Sequence, residues 1–168
     1  NAMPGTPTAV RLYAWGPDLS GSMSGAGGVG GLLMANLNDG NSTTQTVYYG
    51  YDGNGNVQTL ADTSGNIVAN YDYDAFGNGV RATGYWARFN PIRFSTKYDE
   101  TNATYAGRDV GLYYYGERWY GPEMGRWMSR DPMGEKGGVN VYGFCMNDGL
   151  AKFDGFGLWL RVLFSNLF

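Results

Sequence analysis

Tyr51-Asp52-Gly53-Asn54-Gly55-Asn56 and Tyr73-Asp74-Ala75-Phe76-Gly77-Asn78 share one frame, Tyr-Asp-x-x-Gly-Asn. Gly and Asn tolerate positive φ, and Asp bonds to the backbone that follows it, so each frame reads as a hairpin turn. Working outward, short aromatic or β-branched runs flank these turns: Val47-Tyr48-Tyr49, Val57-Gln58-Thr59-Leu60, Ile67-Val68-Ala69 and Tyr71-Asp72-Tyr73. Gly65-Asn66 marks a further turn between them. Strands recurring roughly every 8–12 residues predict an antiparallel meander, not βαβ units. More strand candidates follow in Ile92-Arg93-Phe94, Gly111-Leu112-Tyr113-Tyr114-Tyr115 and Glu117-Arg118-Trp119-Tyr120, until Gly121-Pro122 breaks the run. The alternation of Tyr113, Tyr115, Arg118 and Tyr120 reads as cross-strand aromatic stacking. The predicted fold class is therefore mainly β, an antiparallel hairpin meander with loops.

Composition supports this and removes several function classes. Of 168 residues 28 are glycine, against a usual share of roughly 7%. Charged residues make up only 16%, below the ordinary share of about 25%. The chain has no histidine and one cysteine. That excludes Ser-His-Asp and Cys-His catalysis, histidine-ligated zinc and an internal disulfide. Cys145, between Phe144 and Met146, reads as a small buried hydrophobe. No cofactor and no metal are expected. A net charge of −3 argues against a nucleic-acid partner.

Two stretches fall outside the meander. Residues 14–31 are glycine-rich and contain GxGxxG spacing at Gly25, Gly27 and Gly30. A dinucleotide site needs a strand before and a helix after that spacing, and Asp39 with its periodless flank supplies neither, so the stretch reads as a loop crossing close to other backbone. The tail, Leu158 to Phe168, is almost wholly apolar and too short to span a bilayer. Leu160, Leu163, Phe164, Leu167 and Phe168 fit a 3.6 period, which predicts a short C-terminal helix. Asn1-Ala2-Met3 reads as an expression remnant, and no signal peptide is expected in the chain.

The Tyr-Asp frames resemble the YD repeats of RHS proteins. Asn90-Pro91-Ile92-Arg93-Phe94-Ser95-Thr96-Lys97-Tyr98, Gly111 to Tyr120 and Gly125-Arg126-Trp127-Met128-Ser129-Arg130-Asp131-Pro132 resemble the RHS repeat-associated core, as does Gly137 to Phe144. Trp15 to Ser22 is similar to the linker upstream of it. On this basis the chain divides into residues 1–3 (remnant), 4–45 (glycine-rich, irregular linker), 46–84 (YD-repeat hairpins), 85–158 (core) and 159–168 (apolar tail). The resemblance implies the end of a spiral β-sheet whose repeats enclose a C-terminal toxin. It also implies a bacterial protein, secreted or cell-surface, of which this is one part. The implied partners are the N-terminal RHS shell and a C-terminal toxin. Uncovered sheet edges add an expectation of self-association.

The family's core acts as an intramolecular aspartyl protease, with two Asp-Pro-x-Gly motifs and cleavage after the leucine that follows the second. Here the first motif is Asp131-Pro132-Met133-Gly134, and the second is Asp154-Gly155-Phe156-Gly157-Leu158, with Gly155 where proline is expected. Asn147-Asp148-Gly149 departs from the family in the same way. The implied dyad is Asp131 with Asp154, assisted by Arg130, and the implied cut lies between Leu158 and Trp159. Two close carboxylates cannot both ionise easily, so one keeps a proton to donate while the other activates water. Proline fixes φ, so Gly155 is expected to loosen the turn that presents the bond. Three readings stand: a structural shell module with a slow or vestigial site, an active self-cleaving protease that releases a toxin, and a carbohydrate or cell-surface binding module using exposed Tyr and Trp. Burial of Trp86, Trp119 and Trp127 separates the last from the others.

Overall fold

A computed structural model describes residues 11–41, 43–100, 104–105, 108–109, 111–158 and 160–162. Six strands form one antiparallel meander in chain order: β1 (Leu12–Trp15), β2 (Leu32–Asn38), β3 (Thr44–Tyr51), β4 (Val57–Asp62), β5 (Ile67–Tyr73) and β6 (Gly79–Thr83). The stretch expected to be an irregular linker thus supplies two strands. In β2, Leu32 and the alternating pair Ala35 and Leu37 are completely buried, a pattern hidden in the sequence by the glycines before it.

Three hairpin turns are built alike. Asp52 Oδ1 accepts the amides of Asn54 and Asn56, both at 2.9 Å, while its Oδ2 accepts the Asn56 side-chain amide at 2.8 Å. Asp62 does the same with Ser64 and Asn66, and Asp74 with Phe76 and Asn78. In each, the glycine before the Asn takes positive φ: 74° at Gly55, 84° at Gly65 and 88° at Gly77. The Asp62 turn lacks the preceding Tyr, which is why the sequence displays only two complete frames.

The inner face of this sheet is sealed by a 3-10 turn, Tyr85–Arg88, which delivers Trp86 and Ala87 onto Leu60, Ala69 and Tyr71. Tyrosines line the same face with satisfied hydroxyls. Tyr71 donates to Ala87 O at 3.0 Å and Tyr73 to Val57 O at 2.9 Å, while Tyr49 donates to Oδ1 of buried Asn90.

A second sheet has the order β12 (Arg126–Trp127), β11 (Trp119–Gly121), β10 (Leu112–Tyr114), β7 (Tyr98–Glu100), all antiparallel. Between β7 and β10 lies a small hairpin, β8 (Thr104–Tyr105) with β9 (Arg108–Asp109). The core here is aromatic: Phe94, Tyr113, Tyr115, Tyr120, Trp127 and Phe144, with Cys145. Tyr120 and Phe144 stack at 3.9 Å between centroids. Phe94 links this core to the first through Tyr73. Ile92-Arg93-Phe94, expected as a strand, contributes only an isolated bridge, Ile92 to Tyr98, before the 3-10 turn Phe94–Thr96. Trp86 and Trp127 are buried and serve as packing, while Trp119 is partly exposed.

The chain closes on β13 (Lys152–Asp154), paired antiparallel with β14 (Leu160–Val162). The helix expected over the apolar tail is thus replaced by a strand in its described part, because residues 160–162 find ladder partners in β13. Residues 163–168 lie outside the described residues. Among the described residues no helix is long and apolar enough to cross a membrane.

Candidate functional site

The two Asp-x-x-Gly motifs meet at one buried arginine. Asp131 Oδ2 lies 2.9 Å from an Arg118 guanidinium nitrogen, and Asp154 Oδ2 lies 3.5 Å from the same nitrogen. Arg118 is 3% exposed and sits on the face of Trp127, 4.2 Å from its centroid. Its Nε donates to the Gly157 carbonyl. No hydrogen bond joins the two carboxylates among the described residues. The arginine stands between them, where direct proton sharing was expected.

The sequence shapes each carboxylate's seat. Asp131 Oδ1 accepts the Met133 amide at 2.8 Å, and its carbonyl accepts from Gly134, whose φ is 61°. Pro132, exposed, sets this turn, and the chain then returns so closely that a Cβ on Gly137 would stand 2.6 Å from Asp131 Oδ2. Asp154 ends β13, and its Oδ1 accepts three successive amides: Phe156 at 3.1 Å, Gly157 at 2.7 Å and Leu158 at 3.0 Å. Burial raises the Asp154 carboxyl above its ordinary range, against the opposing pull of these amides and Arg118. Burial likewise lowers Arg118 from its usual value, opposed by Asp131 and Asp154.

The carbonyls of the same turn are held too. Lys97 Nζ donates to Gly155 O at 2.7 Å, the Glu117 amide to Phe156 O at 3.3 Å, and Arg118 Nε to Gly157 O. Three amides and three carbonyls are therefore fixed between Asp154 and Leu158. Gly155, expected to loosen this turn, lies against Ala26 and Gly27 and has its carbonyl held by Lys97, so neighbours contact the backbone that proline would otherwise have restrained. The bond after Leu158 falls in the connection between β13 and β14.

A cleft of about 270 Å³ includes this cluster, lined by Arg118, Asp131, Asp154 and Leu158 together with Val139 and Met146. Cys145, Met146 and Asn147 line it in consecutive left-handed conformations, at φ of 48°, 53° and 59°. Non-glycine residues adopt that region rarely and at a cost. Burial pushes the Cys145 thiol well up, so it stays a neutral part of the wall.

Arg130, expected to assist the dyad, is exposed and has no ion-pair partner among the described residues. Its expected place is taken by Arg118. The signal for Arg118 was its position in the Tyr113, Tyr115, Arg118, Tyr120 alternation, where an arginine among inward-facing rings demands buried anions. Lys97, 6% exposed, carries no such signal, because its neighbours in sequence are ordinary.

No protein-family model matches the chain. It is 34% identical over 112 residues to toxin subunit YenC2 of Yersinia entomophaga, covering 62% of this chain and 11% of that protein. It is 30% identical over 122 residues to the tRNA nuclease WapA of Bacillus subtilis, covering 69% of this chain and 5% of that protein. Among solved structures, TcdB2-TccC3 superposes with a TM-score of 0.62 at 30% identity, over 74% of this chain and 6% of that one. The chain thus spans about a tenth or less of the length of these relatives. In sequence and in fold it is similar to segments of RHS-type toxin proteins.

Proposed function

We propose that this chain is the C-terminal RHS-repeat core module that closes a longer β-shell, and that Asp131, Arg118 and Asp154 form a slow, single-turnover self-cleavage site acting after Leu158. The observation that carries the reading is the double role of Asp154. One of its oxygens gathers the amides of the turn ending at Leu158, while the other faces the arginine that also binds Asp131.

The chemistry follows from two carboxyls in unlike settings. Asp131, ion-paired with Arg118, takes a proton from water as its oxygen attacks the Leu158 carbonyl carbon. Asp154, whose burial favours the protonated form, donates a proton to the departing Trp159 nitrogen. The C–N bond breaks, leaving a free Trp159 amine and a Leu158 carboxylic acid, which passes its proton to the now ionised Asp154 and becomes a carboxylate. Arg118 stabilises the negative charge that develops. Catalysis is slow because Arg118 separates the carboxylates, so they do not share the proton that activates ordinary aspartic dyads.

A structural reading has its own support: a buried arginine between two carboxylates, with the carbonyls of Gly155, Phe156 and Gly157 engaged, is also a rigid scaffold. Terminus mapping separates the two. The self-cleavage reading expects a fragment beginning at Trp159 from the parent chain and none from Asp154→Asn. Absence of that fragment from the parent leaves the scaffold.

A further inference from the structure

The glycine-rich stretch of residues 16–31 has no part in the chemistry above, yet it is docked against the turn that carries Asp154. Asp18 organises it from within. Its Oδ1 accepts the Ser20 amide at 2.9 Å and the Ser20 hydroxyl at 2.6 Å, and its Oδ2 accepts the amides of Ala26 at 2.7 Å and Gly28 at 3.0 Å. Burial would raise the Asp18 carboxyl, but these donors prevail and hold it below its ordinary range.

So shaped, the loop buries Ala26 and Val29 against Phe153, the residue before Asp154. Its backbone then meets Gly155 directly: a Cβ on Gly27, where φ is 65°, would stand 2.0 Å from Gly155 O. Lys97 ties the crossing, donating at 2.7 Å to Gly27 O and at 2.7 Å to Gly155 O. Gly30 adds a third tie, its amide donating to Thr96 Oγ1 at 2.7 Å.

Resting on the cleavage reading above, we propose that this loop is a working part of the site: Gly27 and Lys97 are positioning residues that hold the Gly155 carbonyl and thereby fix the Asp154-to-Leu158 turn. The loop touches no reacting atom. It acts by removing freedom from the turn, which raises the share of time spent in an attack-ready geometry. The depression of the Lys97 amine to about 8, caused by burial and opposed by Asp154 and Asp18, accords with so enclosed a tie.

The test uses the full chain carrying Gly27→Ala, with Gly65→Ala as the matched control. Gly65 also has positive φ, 84°, but nothing lies within 4 Å of its added carbon. Both variants bear the left-handed strain of a non-glycine residue, and only Gly27→Ala adds the collision. Amide exchange of Phe156, Gly157 and Leu158 is expected to quicken by about tenfold or more in Gly27→Ala, the equivalent of roughly 1.4 kcal/mol of local stability. Those amides stay at parent rates in Gly65→Ala, and cleavage slows only in Gly27→Ala. If Gly27→Ala fails to fold, Asp18→Asn, which keeps the side-chain shape but withdraws an acceptor from Ala26 and Gly28, is expected to give the same local quickening. Unchanged exchange at the three amides, or equal effects of Gly27→Ala and Gly65→Ala, overturns the proposal. A parent chain that never cleaves overturns the cleavage reading alone, and the exchange result still decides the positioning.

Discussion

A side-chain carbon on Gly155 would stand 2.5 Å from the carbonyl oxygen of Ala26, so the turn bearing Asp154 and the glycine-rich loop pack backbone against backbone. Gly149 repeats the arrangement, its missing carbon only 2.5 Å from Ala75 O in the Asp74 hairpin turn. These are the two positions where the RHS resemblance led to an expectation of proline. At both, the end of the chain presses on an earlier turn with no space for a ring. The departures from the motif are therefore packing requirements, and they come in matched pairs, Gly155 with Ala26 and Gly149 with Ala75.

Gly155→Pro sets two effects against each other. At an unstrained site proline stabilises by about 0.4–1 kcal/mol through the unfolded chain. Overpacking costs about 1–3 kcal/mol, and with backbone as the colliding partner it prevails. Urea denaturation should show a net loss. A gain would mean that the crossing is looser than the distances state.

Arg118→Met leaves Asp131 and Asp154 buried without their cation. Loss of one partner from a buried ion pair costs about 3–5 kcal/mol, and that is the expected deficit at neutral pH. The deficit should shrink on acidification. Asp154 already has a raised carboxyl in the folded chain, so its contribution to stability is present at low pH and is lost as pH rises through the folded value. Removing Arg118 widens that loss. Urea midpoints taken from acid to neutral pH check both size and slope, and a deficit independent of pH contradicts the assignment.

Lys97→Met removes the donor to Gly27 O and Gly155 O. The buried Gly155 carbonyl loses its partner at about 1–3 kcal/mol, and the part-buried Gly27 carbonyl loses its partner at less. The folded amine is depressed to about 8, so in the parent chain stability should rise as pH climbs from there towards the unfolded lysine value and fall on returning through about 8. That slope should vanish in Lys97→Met when melting is followed across mildly alkaline pH.

Phe144→Ala probes the aromatic core. Phe144 is 1% exposed, stacks on Tyr120 and meets Trp127 edge-on. Truncation should cost about 3–5 kcal/mol, while Phe144→Leu should lose distinctly less. Equal losses would show that ring geometry contributes nothing beyond volume.

The hairpins were legible because their chemistry is local: Asp, Gly and Asn at fixed offsets close a turn without help from elsewhere. The ring stacking was legible for a similar reason, since the alternation of Tyr113, Tyr115 and Tyr120 reads as cross-strand aromatic rungs, whereas their burial in one core became visible only in the fold. The aspartates were located only through the RHS resemblance, because Asp-Pro-x-Gly alone is ordinary turn chemistry. What sequence could not display is whatever depends on distant backbone. Arg118 replaces Arg130 because the inward side of β11's approach, and not proximity in sequence, decides which cation reaches Asp131. Lys97 reaches Gly27 and Gly155 only after the chain has folded back. The tail's apolar period suggested a helix, but pairing of Leu160–Val162 with β13 prevailed over it.

Self-cleavage after Leu158 is decided by a time course of intact mass on freshly purified chain, under denaturing conditions, beside folded Asp131→Asn and Asp154→Asn, at mildly acidic and neutral pH. Denaturing conditions matter because pairing of β14 with β13 would retain a severed tail in the native protein. Slow loss of residues 159–168 from the parent chain is expected, faster at the acidic pH because burial shifts the Asp154 carboxyl upward, towards its protonated form, with constant mass in both variants. A parent mass that stays constant at both pH values, or a loss that continues in Asp154→Asn, would contradict it.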